Sequence, residues 1–181
     1  MHRSSLRQLL DNYKPNDNAE IVSRDLMLDF VNGNPHCFER SSLKGHITGS
    51  AWLLNHDLSK VLLLHHAKLD LWCQLGGHCD GDADVLKVAI KEAQEESGIN
   101  NILPVSSEIF DIDIHSVPVF GDVPAHFHYD VRFILRVRGD EEAVGNKESK
   151  ALAWFGKDAA LIPNKSESIM RMFRKWCSLS K

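Results

Sequence analysis

Three glutamates, Glu92, Glu95 and Glu96, stand close together near the centre of a 181-residue chain. A helix turns about 100° per residue, so Glu95 and Glu96 fall about 60° and 40° to either side of Glu92 and all three carboxylates leave one narrow face. Residues 84–97 are predicted as that helix. Leu86, Ala89, Ile90 and Ala93 form a separate apolar stripe that can anchor it to a sheet, and Gly98 suits a left-handed end cap. Carboxylates this close raise one another's pKa and resist ionising together. A divalent cation reverses that sign, and Mg2+ takes oxygen ligands while keeping waters and substrate phosphates in its shell. Lys91, four positions before Glu95, offsets part of the repulsion. The triad is a candidate metal-binding and catalytic set, although an isolated string of this kind also occurs as a solvated acidic helix face.

The segment before the helix separates those two readings. Residues 77–99 resemble the Nudix box, whose pattern is G-x5-E-x7-R-E-U-x-E-E-x-G-U with U aliphatic. Gly77, Glu92, Glu95, Glu96 and Gly98 match it in identity and spacing; Ile99 fills the last aliphatic position, and Ala93 is a small version of the other. Ala83 stands where the family has Glu, and Lys91 where it has Arg. Lys91 keeps the charge but lacks the planar fork of donors. One of Asp80, Asp82 and Asp84 is therefore expected to cap the helix and take over the bracing; by helix angle Asp84 is about 20° from Lys91.

The resemblance extends loosely over residues 46–178. It implies an α/β fold, an α/β/α sandwich around a mixed sheet, and hydrolysis of a diphosphate linkage in a small nucleoside diphosphate-X substrate. It also implies Mg2+ or Mn2+ held by Glu92, Glu95 and Glu96, with Glu92 or a carboxylate from a later loop taking the proton. Glu141, Glu142 and Glu148 are candidates for that general base, and the alternative for each is a solubilising loop residue. Gln74, Gly76 and Gly77 would lie beside the metals on the substrate side. Pro118 falls a few positions beyond where ADP-ribose-selective relatives often carry a proline, so the substrate is left unnamed. Two alternatives remain: an activity like that of isopentenyl-diphosphate isomerase, and a non-catalytic nucleotide-binding or regulatory module. Neither Cys73 nor Cys79 sits in the isomerase's Cys-Gly-His arrangement, whereas Ala83 and Lys91 favour the module.

A second polar constellation alternates along residues 126–133. His126, His128, Asp130 and Arg132 share one face of a predicted strand and Phe127, Tyr129, Val131 and Phe133 the other. The polar face reads as a substrate cleft with Arg132 offered to a phosphate, or as an edge strand in water. His78-Cys79-Asp80 has zinc-ligand types, but no further Cys or His at suitable spacing completes such a site. Trp52, Trp72, Phe120 and Tyr129 are aromatic candidates for stacking on a base, or core residues. Residues 116–124 are a candidate substrate-side loop.

These groups need a scaffold. Hydrophobic residues make up 43% of the chain, enough for one well-filled core. Helices are predicted at 3–13, at 19–32 with Ile21, Leu26, Phe30 and Val31 inward, and at 166–178 with Ile169, Met170, Phe173 and Trp176 inward. Strands are predicted at 47–55 and 60–66 as an antiparallel pair, then at 71–75 ending at Gly76-Gly77, 107–115, 125–137 and 151–155. Residues 1–45 are read as a helical extension and 46–181 as the main domain; the extension's roles are a homodimer surface, a cap over the cleft or plain packing. The net charge of −4 gives no global attraction for a nucleic acid polymer or an anionic membrane, and no apolar run is long enough to span one. Cys37, Cys73, Cys79 and Cys177 form no CxxC pair and no signal-peptide core is visible, so reduced thiols in a cytoplasmic protein are expected.

Overall fold

The computed structural model describes residues 2–119 and 121–179. Its elements run α1 (Ser4–Asn12), α2 (Asn18–Gly33), β1 (Gly45–Leu54), β2 (Lys60–His66), β3 (Trp72–Cys73), β4 (Leu75–His78), α3 (Val85–Ser97), β5 (Ile102–Pro104), β6 (Asp111–Val117), β7 (His126–Val137), β8 (Ser149–Gly156) and α4 (Glu167–Ser178). The strands form one mixed sheet in the order β3-β2-β1-β7-β5, with β4 paired to β1, β6 to β7 and β8 to β2.

The parallel pair β1–β7 is the spine, in register from Gly45↔Phe127 to Leu54↔Arg136. Strand alternation then sends odd and even residues of β1 to opposite faces. On one face Ile47, Ala51 and Leu53 pack with Val85, Ala89 and Ala93 of α3 and with Leu6, Leu10, Met27 and Val31 of α1 and α2, in one core cluster. On the other, Trp52 and Leu54 pack with Ile169, Met172, Phe173 and Trp176 of α4. The sandwich expected from the sequence is the one observed. Among the described residues, no helix is long and apolar enough to cross a membrane.

Some local expectations are corrected. The first two strands are antiparallel neighbours, but only Leu53↔Leu62 and Leu54↔Val61 pair, because β4 takes the outer length of β1. Gly76-Gly77 do not end a strand; they lie inside β4. Strand β5 was not foreseen, and the strand expected at 107–115 starts at Asp111. In α2, Ile21 and Leu26 are exposed at 40% and 53%; the buried residues are Glu20, Met27 and Val31. The Glu20 carboxylate sets that rotation by accepting hydrogen bonds from Tyr13 Oη (2.7 Å) and Lys175 Nζ (2.9 Å). Burying it with Oε2 hydrogen-bonded to Tyr13 and Lys175 outweighs burying Leu26 instead. In α4, Met172 rather than Met170 completes the buried stripe.

Candidate active site: a carboxylate helix against a glycine strand

Helix α3 starts at Asp84, whose side chain accepts a hydrogen bond from the Lys87 backbone N–H, and ends at Gly98 with φ 73°. Asp82 supports the start, accepting from the Asp84 N–H (3.0 Å) and pairing with Lys87 Nζ (2.9 Å). The expected aspartate cap is present. The expected brace to Lys91 is not: Lys91 Nζ instead lies 3.1 Å from Glu92 and 3.5 Å from Glu95, inside the carboxylate group. Asp80 makes a forked ion pair with Arg40 in the segment before β1.

The helix approaches the sheet through paired glycines. Gly49 of β1 lies opposite Gly77 of β4. A Cβ on Gly49 would sit 2.8 Å from the Val85 carbonyl oxygen, and one on Gly77 would sit 2.4 Å from Glu92 Oε2. Glu92 thus lies directly against the glycine strand. Glu96, only 6% exposed, accepts a hydrogen bond from the Gly76 N–H at 2.8 Å, while Glu95 points outward. Burial pushes the Glu96 carboxyl up to about 8; the Gly76 N–H opposes this, and Glu92, Glu148 and Glu95 reinforce it.

The other two loop acids differ. Glu141 accepts the His56 N–H at 2.7 Å, and its backbone carbonyl accepts from Trp154 Nε1, so it is tied to the far end of β1 and β2. Glu142 is exposed. The intervening loop is pinned to the end of α3 by Val144 N–H to Ser97 O (2.8 Å) and by Asn146 Nδ2 to Glu95 O (3.2 Å).

The polar face of β7 is not an edge: β1 flanks it on one side, β5 and β6 on the other. Arg132 is 2% exposed, and its three nitrogens face Asp130 (2.7 Å), Asp111 (2.9 Å) and Asp113 (3.4 Å). The expectation that Arg132 is offered to a phosphate is corrected: its donors are already matched to carboxylates, as a buried guanidinium requires. Arg171 and Lys175 of α4 add two more cations on Asp111. Gln74 is held by Nε2 to Asp130 (3.1 Å), and Thr48 and Ser50 donate to the same carboxylate.

Further along the same face, β1, β4 and β7 bring His46, His78 and His128 together, with one ring nitrogen of each within 4.8 Å of the others. His126 lies beside them, its Nε2 3.2 Å from that of His128. Burial lowers the pKa of His46 to about 4, with His78 and His126 adding to the effect; burial likewise lowers His78 and His128. His46 went unnoticed in sequence, although His46, Thr48 and Ser50 repeat every second position within an otherwise apolar strand.

Burial disfavours the thiolate at Cys37, Cys73 and Cys79. Cys37 and Cys79 are buried, and burial pushes Cys73 up to about 12 and Cys79 higher. Of the aromatic candidates, Trp52 is wholly buried, Tyr129 stacks on Phe30 at 3.9 Å and Trp72 stacks on His65 at 5.1 Å. Phe120 lies outside the described residues.

A mixed sheet between helices, with a carboxylate helix laid on a glycine strand, defines an α/β protein whose acidic helix face meets the sheet. Residues 46–177 match the NUDIX domain family, and the chain belongs to it. A hydrolase of the NUDIX family from Clostridium perfringens is similar at 24% identity, covering 75% of this chain and 98% of its own with a TM-score of 0.56. The E. coli dihydroneopterin triphosphate pyrophosphohydrolase is similar at 17% identity, with 71% and 92% coverage and a TM-score of 0.52. The NUDIX domain of Shewanella oneidensis NrtR, solved with ADP ribose, is similar at 15% identity, with 81% and 93% coverage and a TM-score of 0.52. Comparison with curated proteins finds no match.

Proposed function

We propose that the chain is a metal-dependent hydrolase of a phosphoric anhydride bond in a small nucleotide-like diphosphate. The observation that carries this reading is the seating of Glu92 and Glu96 against the Gly76-Gly77 strand, with Glu95 beside Glu92 across Lys91. The donor set is all oxygen, and the burial of Glu96, reinforced by its neighbouring carboxylates, disfavours its charged form in a way that a hard divalent cation relieves. Glu92, Glu95 and Glu96 would hold Mg2+ or Mn2+, which when bound acidifies water and neutralises phosphate charge. The Gly76 N–H fixes the Glu96 carboxylate, Lys91 steadies Glu92 and Glu95, and Glu148 is the loop acid we propose as proton acceptor. Gln74, His126 and His128 are assigned to the substrate side; Arg132 supports Gln74 through their shared partner Asp130 rather than by contact.

The pyrophosphohydrolase among the similar structures favours hydrolysis of a triphosphate or diphosphate, and the NrtR complex favours an adenosine diphosphate group. The test is a hydrolysis screen over ADP-ribose, nucleotide sugars, dinucleoside polyphosphates and nucleoside triphosphates, with Mg2+ and with Mn2+. Phosphate or nucleoside monophosphate release that stops in EDTA and drops by orders of magnitude in Glu95→Gln and Glu96→Gln is expected. Undiminished turnover in those variants would refute the assignment. Tight nucleotide binding without any turnover would point instead to a binding module, a reading favoured by Ala83 and Lys91 in the box.

A further inference from the structure

We propose that His46, His78 and His128, with His126 as fourth ligand, form a binding site for a borderline transition-metal ion of the Zn2+ type, separate from the carboxylate site. The site is built by register. His46 of β1 lies opposite His128 of β7, and Thr48, two residues on, lies opposite His78 of β4. Side chains at i and i+2 share a strand face, so three strands deliver three imidazoles to one point. One nitrogen from each lies within 4.8 Å of the others. Tetrahedral zinc holds its nitrogens at about 2.0–2.1 Å, which places ligand atoms about 3.4 Å apart. Small ring rotations close that gap, and His126 and His128 already present Nε2 atoms 3.2 Å apart.

Two observations point to an ion rather than to ring packing. His46 is 3% exposed, yet neither Nδ1 nor Nε2 has a hydrogen-bond partner among the described residues. The Ser42 carbonyl lies near enough to favour a proton on the ring, but without hydrogen-bond geometry. A buried imidazole left unpaired is costly, and coordination uses the lone pair that nothing else takes up. Secondly, His126 Nδ1 is 2.8 Å from the Pro124 carbonyl. Since a carbonyl only accepts, Nδ1 carries the proton, and the Nε2 lone pair, which accepts from His128 Nε2 at 3.2 Å in the metal-free fold, is the atom left to a metal. This is the arrangement in which a backbone carbonyl orients a metal-ligating histidine. Ring stacking, with His46 centroids 4.8–5.0 Å from those of His128, His126 and His78, explains the packing but leaves both His46 nitrogens without a partner.

The donor chemistry selects the ion. Imidazoles suit Zn2+, Co2+, Ni2+ or Cu2+ and not Mg2+, which wants oxygen. No Cys thiolate joins: Cys79, next to His78, is buried in the core on the other face.

The experiment is titration of metal-stripped, full-length protein with Zn2+ by calorimetry and with Co2+ by visible absorption, both in excess Mg2+ to occupy oxygen donors. One equivalent is expected to bind, with the intense visible bands of tetrahedral Co2+. His78→Gln and His128→Gln should each weaken binding by more than about 100-fold, since loss of an outer-shell partner alone costs about 10–100-fold. Glu95→Gln should bind Zn2+ and Co2+ as the native protein does, whatever its hydrolytic activity. Both histidines are only half-buried, and metal-free thermal unfolding checks that the variants fold, a check needed more for His46→Ala. Absence of stoichiometric binding, binding that persists in both histidine variants, or loss in Glu95→Gln would overturn the proposal.

Discussion

At the scale of single residues, the buried acid Glu96 makes the site's pH behaviour specific. In the metal-free fold its carboxyl is raised from 4.5 to about 8, first by burial. A folded-state pKa above the unfolded one means the contribution to stability is complete below about 4.5 and is lost as pH rises towards 8. The metal-free Tm is therefore expected to fall by roughly 5 °C or more between pH 5 and pH 8, to lose that slope in Glu96→Gln and to regain height in saturating Mg2+; a scanning calorimeter reads all three. Asp111 predicts the opposite sign of sensitivity. It is fully buried under Arg132, Arg171 and Lys175, and Asp111→Ala strands three cations, so urea unfolding should show a loss of about 3–5 kcal/mol. The Glu triad was legible in sequence because helix period fixes neighbours four residues apart. The three-strand contributions of His46 and Asp111 were not, because pairing partners across a sheet carry no local period.

At the scale of elements, the Gly49–Gly77 window decides how closely α3 meets the sheet. The two glycines should respond differently to a methyl group. On Gly49 the new Cβ meets the Val85 carbonyl at 2.8 Å and the Ala89 nitrogen at 3.2 Å, both backbone, so the helix must lift; a destabilisation of about 1–3 kcal/mol is expected by urea titration. On Gly77 it meets the mobile end of Glu92 at 2.4 Å, so Gly77→Ala should keep its fold while losing divalent-ion affinity and turnover. Equal stability losses for both would sink this account. The sequence located α3 and β2 closely, since amphipathic period and turn residues bound them. It misplaced the end of β4, because Gly-Gly ordinarily punctuates a strand; here the glycines remain in the ladder and give up side chains to admit the helix. The rotation of α2 was hidden for a similar reason, since the apolar pattern alone cannot show that a paired Glu20 outranks Leu26 for the inward face.

At the scale of the whole molecule, residues before β1 are structural members of the core. Leu6, Leu10, Met27 and Val31 are wholly buried in the cluster that supports α3. At about 1.5–3 kcal/mol for each such side chain, their removal rivals the entire stability of a domain. Deleting residues 2–33 is expected to abolish the cooperative thermal transition; a variant that melts near the native temperature would show the helices to be dispensable. The same helices hold Glu20, whose cationic partner Lys175 lies 155 residues further along. On a ribosome that distance becomes time. The emerging chain carries an acid shaped for burial through the making of those 155 residues, and its ion pair with Lys175 closes only when α4 has left the exit tunnel. Until then α2 waits with its polar lock open, and a chain cut before α4 has no Lys175 with which to shut it.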